Sequence, residues 1–97
     1  MTDRPLSIDR YKTEATATGT TEVIHLIEMP GDIVRGVITL VTTGPTVERT
    51  VADASGSVFA HDVVSANDPP EMLLDARCPP TIAAAVEHVF RQRAKTI

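Results

Sequence analysis

Large aromatic side chains are almost missing from this chain, which has no tryptophan, one tyrosine (Tyr11) and two phenylalanines (Phe59 and Phe90). Proteins that hold single-stranded nucleic acid stack its bases on such rings, so that mode of binding has little to work with. A single cysteine, Cys78, excludes an internal disulfide and a zinc cage built of thiolates. The five glycines are scattered at positions 19, 31, 36, 44 and 56. None sits in a strand–glycine-loop–helix unit that could cradle a phosphate. No apolar run approaches the roughly 20 residues of a membrane helix, and residues 1–10 do not resemble a secretory signal. These absences set the expectation of a soluble, cytoplasmic protein that uses no cofactor.

What is present is an aliphatic chain of 97 residues, 42% hydrophobic and 23% charged. That length fits one domain, residues 1–97, with residues 1–5 read as a flexible start. The net charge of −4 is unevenly spread. Residues 29–76 carry two basic side chains (Arg35 and Arg49) against seven acidic ones. Residues 77–97 reverse this, with Arg77, Arg91, Arg93 and Lys95 against Glu87 alone. An acidic body of this kind argues against general nucleic-acid binding, which needs a basic face.

The order of the elements follows from periodicity and turn residues. Residues 6–18 alternate weakly. Gly19-Thr20 then reads as a type II′ hairpin turn with glycine at its first central position. Residues 22–29 place Val23, Ile24, Leu26 and Ile27 on both sides of a strand, the pattern of a strand covered twice. Pro30-Gly31 supplies the central pair of a further turn. Residues 33–42 fit a helical stripe through Ile33, Val34, Val37, Ile38 and Val41. The density of β-branched residues and the central Gly36 favour a strand instead. Residues 47–54 and 57–64 read as two strands around Ser55-Gly56.

Beyond Asn67 the pattern changes to helical. Asp68-Pro69-Pro70-Glu71 has the residues of a helix start, with an acceptor, two prolines tolerated in a first turn, and a glutamate three positions on. Pro79-Pro80 ends that short helix and opens a second, from Thr81 to about Lys95, striped by Ile82, Val86, Val89 and Phe90. Strands first and helices last predict an α+β domain. It would be an antiparallel meander of four to five strands, then a short helix, then a longer C-terminal helix against one face of the sheet. The other face would be wet or would meet a second copy, and apolar residues on both sides of strand 22–29 favour the copy.

Few residues carry a chemical signal. Cys78 follows Arg77 at the start of a helix, where a guanidinium and helix N–H groups stabilise a thiolate, and it is the weak catalytic or redox candidate. His25 and Glu28 point to opposite faces of a strand, as do His61 and Asp62. With His88 alone on the helix, no metal-ligand spacing arises. Residues 50–76 contain no basic side chain. Asp62, Asp68, Glu71 and Asp75 could therefore form an acidic docking surface, with Arg91 and Arg93 as a second, basic one. The expectation is a non-enzymatic protein-binding module, acting as an inhibitor or accessory regulator by occupying a surface, and itself a homo-oligomer with a dimer favoured. The rival readings are a small enzyme or redox sensor centred on Cys78, and a structural subunit of a larger assembly such as a viral particle.

Overall fold

Alternating β-branched residues over the first two thirds of the chain have one economical outcome, a sheet whose strands follow each other in space as in sequence. The computed structural model, which describes residues 5–65 and 72–95, has that form. Strands β1 (Ser7–Ala15), β2 (Thr20–Glu28), β3 (Ile33–Thr43), β4 (Thr46–Asp53) and β5 (Val58–Ser65) make one five-stranded sheet in the order β1-β2-β3-β4-β5. All neighbours are antiparallel. Helix α1 (Pro80–Lys95) follows and lies on one face.

Residues 33–42 are strand, as their β-branched content requires. Gly36 has a tertiary reason to be there. A Cβ at this position would stand 3.2 Å from Leu26 Cδ1, so the missing side chain leaves room for the Leu26 side chain of β2, and it would be in ordinary contact with Ile82 of α1 at 3.5 Å. The hairpin expected at Gly19-Thr20 is displaced. Pairing stops at Ala15 opposite Thr20, and residues 16–19 form the loop, with Thr16 N donating to Gly19 O at 2.7 Å. Gly19 is needed for room rather than for a turn angle, because a Cβ there would lie 1.8 Å from the Thr42 carbonyl oxygen. The β4–β5 turn is held by Asp53, whose carboxylate accepts from Ser55 N, Ser57 N and Ser55 Oγ. Those donors, the Ser55 hydroxyl first, hold its carboxyl below the usual range.

The expected short helix before Pro79 is not seen. Its proposed start at Asp68–Glu71 lies outside the described residues, and residues 72–75 have no helical structure. Met72 and Leu74 turn towards the core while Leu73 between them is 95% exposed, an alternation of period two. Asp75 N donates to Phe59 O of β5 at 2.9 Å, which ties the segment to the sheet edge. The Asp75 carboxylate then accepts from Arg77 N, and Cys78 N donates to Asp75 O, turning the chain into α1.

The core lies between sheet and helix. Ile24, Leu26, Ile38, Leu40 and Val51 of the strands meet Ile82, Ala85, Val86, Val89 and Phe90 of α1. The expected helix stripe is buried at all four of its positions. Among the described residues, no helix is long and apolar enough to cross a membrane.

Candidate functional site

In a strand, consecutive side chains point to opposite sides, so the residues between those of the core form the second face. Register assigns them to rows running across the strands. Lys12, Val23, Thr39, Thr50 and His61 make the central row. Glu14, Thr21, Val41, Glu48 and Val63 make the next on one side, and Asp9, His25, Val37 and Ala52 begin the next on the other. No described element covers this face, since α1 and residues 72 and 74 pack on the other side. Its middle is aliphatic or threonine, with Val23, Val37, Thr39, Val41, Thr50 and Ala52 all half-buried by their neighbours alone.

Polar groups stand towards the two sides of the face. On the β1 side the register slips between Arg10 and Lys12, and at this bulge the Tyr11 ring stacks on His25 with centroids 4.1 Å apart. Lys12 and Glu14 pair at 3.1 Å beside it. On the β4–β5 side, His61 Nε2 lies 2.8 Å from Glu48 Oε2, both side chains about half exposed. The arrangement is an apolar centre with a charged margin.

The other face contains a row of ions instead. Glu22, Leu40, Arg49 and Asp62 lie abreast. Arg49 is 5% exposed, donates from Nε and Nη2 to the two Asp62 oxygens at 2.8 and 2.6 Å, and has its guanidinium 4.9 Å from the centre of the Phe90 ring. Glu22, also buried, pairs with Arg10 at 2.7 Å. Such bidentate pairing is what lets a guanidinium sit under a helix.

Of the six residues proposed for binding, the structure describes the side chains of Asp62, Asp75 and Arg91. Asp62 is engaged by Arg49 on the helix side. Asp75 is bound by Arg77, whose guanidinium and backbone N–H hold its carboxyl below the usual range. Asp68 and Glu71 lie outside the described residues. Arg91 pairs with Glu87 one turn earlier on α1 at 2.6 Å, and the Arg93 side chain is outside the described set. Cys78 is half-buried at the foot of α1, 3.7 Å from the Pro79 carbonyl oxygen. Burial first, and the Asp75 carboxylate second, push its thiol up, opposite to what a nucleophilic cysteine needs. Among the described residues no group of three or more His, Cys, Asp or Glu side chains is placed to hold a metal ion.

Two grooves flank α1. One, of about 630 Å³, runs between Leu6 and Ile8 of the N-terminal side and Ala84, Ala85 and His88 of the helix. The other, about 270 Å³, lies between Met72 and Leu74 and the opposite flank of α1. Among the described residues, neither gathers polar groups into a constellation that could do acid–base or nucleophilic work. Comparison of the chain with protein-family models, with curated proteins and with solved structures finds no match.

Proposed function

We propose that this protein is a non-enzymatic binding module that acts by occupying a protein surface, and that its docking surface is the helix-free face of the sheet. The observation that supports this reading is the aliphatic centre around Thr39, which no described element covers, on a chain that has placed a helix over the opposite face. Flat apolar centres with charged margins are the anatomy of protein interfaces. Enzymatic work by Cys78 is disfavoured by the upward push on its thiol.

The test is capture of binding proteins by the immobilised chain from the lysate of its own source. Thr39→Lys puts a charge into the centre of the face, and Arg91→Glu reverses one on the helix. The reading expects capture to be lost with Thr39→Lys and kept with Arg91→Glu. The opposite pattern moves the docking surface to the helix end, and an unmodified chain that captures nothing, including its own copies, ends the binding-module reading.

A further inference from the structure

We infer that the occupant of the helix-free face is a second copy of this chain, packed sheet on sheet about a two-fold axis parallel to the strands. The inference rests on the binding-module reading and gives its partner an identity.

Size comes first. The five strands are eight to eleven residues long. With strands about 4.8 Å apart and about 3.3 Å per residue, the face measures about 24 by 28 Å. Pairing two such faces removes about 1,300 Å² from water, within the range of about 1,200–2,000 Å² for stable interfaces. The helix has already closed the other side, so a copy completes a four-layer arrangement of helix, sheet, sheet, helix. Two sheets packed in this way sit about 10 Å apart with strands nearly aligned.

Chemistry comes second. A face that meets its own copy must match itself, and the middle of this one is neutral. Val23, Val37, Thr39, Val41, Thr50 and Ala52 carry no charge, so no ion is buried at the centre of the contact. The edges of the sheet are poor alternatives. Edge β1 carries a bulge at Tyr11 and the charges of Arg10, Lys12 and Glu14, and edge β5 is partly taken by Asp75 N on Phe59 O. Both devices discourage strand addition.

The charges at the margin select the axis. A two-fold parallel to the strands lays β1 of one copy over β5 of the other, and β3 over β3. Lys12 and His61 end the same row, so Lys12 then faces the Glu48–His61 pair of the second copy. A two-fold perpendicular to the strands through the same row would face Lys12 with Lys12.

Sedimentation equilibrium of the purified full chain tests this. The expected mass is twice 10.4 kDa, falling to 10.4 kDa for Thr39→Lys with the far-ultraviolet dichroism of the sheet retained. Should Thr39→Lys unfold, Val63→Lys serves, since that residue is 61% exposed in the single chain and its replacement disturbs no core. Lys12→Glu should weaken association about fivefold, as a lost rim charge pair does. The double exchange Lys12→Glu with Glu48→Lys should restore it.

A monomeric parent chain overturns the inference, as does an open series of larger species. A dimer indifferent to both Thr39→Lys and Val63→Lys overturns the face, and failure of the double exchange overturns the axis. A monomer that still captures some other protein in a Thr39→Lys-sensitive way removes the second copy while keeping the binding-module reading, and a monomer that captures nothing removes both.

Discussion

Ile24, Leu26, Ile38, Leu40 and Val51 are buried under α1, while Val23, Val37 and Val41, their immediate neighbours along β2 and β3, are half-covered. The two faces have similar aliphatic character, and the same strands build both. What differs is the treatment of charge. The helix side takes Glu22 and Arg49 into its interior, each with an opposite partner, and closes Phe90 over Arg49. The helix-free side keeps its charges towards the margin, at Asp9, Lys12, Glu14 and Glu48, around a neutral centre. A face whose partner is covalently attached can bury ions, because the chain fixes their register. A face whose partner must arrive from solution does better with a centre that asks for no register of charge, since an ion left unpaired there costs several kcal/mol.

The comparison can be broken most directly by truncation on each side. Leu26→Ala, at a fully buried site, should cost about 2–5 kcal/mol in a denaturant titration. Val37→Ala, half-buried, should cost about 1 kcal/mol at protein concentrations low enough to separate copies. Equal losses would mean that the helix-free face is already part of a closed core. The next largest effect concerns the ions. Arg49→Met removes a bidentate pair beside a buried ring and should cost about 2–3 kcal/mol. Glu48→Gln, in an exposed pair with His61 across the sheet, should cost less than about 1 kcal/mol in the single chain. A reversal of that order in the same titration would remove the distinction between the faces.

The smallest effect sharpens the function rather than the fold. Because the Cys78 thiol is pushed up, its thiolate should form only at higher pH than in an unfolded peptide. Alkylation followed against pH should therefore rise later in the folded chain than in the same chain in denaturant. An earlier rise would return Cys78 to consideration as a reactive site.

Much of this fold was legible in the residues. β-branched alternation between turn signals gives four to five strands, of which the structure has five, and the stripe Ile82, Val86, Val89, Phe90 gives the helix and its buried side. The short helix expected before Pro79 is not seen in residues 72–78, because cap-type residues are a local signal. The structure of residues 72–75 is decided by where Met72 and Leu74 can be buried, which is a tertiary matter. The helix-free face was half legible. Apolar residues on both sides of strand 22–29 announce two coverings, but only the register shows that the second is missing from the described chain. The Arg49–Asp62 pair could not be read at all, since it joins residues thirteen apart through the pairing of β4 and β5. Asp62 consequently looked like a surface acid when it is a partner within the sheet.

The measurement that bears most directly on the two-face account is the thermal unfolding midpoint as a function of protein concentration. Association that stabilises only the folded chain raises the midpoint by mass action. The account predicts a midpoint that climbs with concentration for the parent chain and stays level for Thr39→Lys. A parent midpoint independent of concentration, over a range where the chain remains in solution, would contradict it.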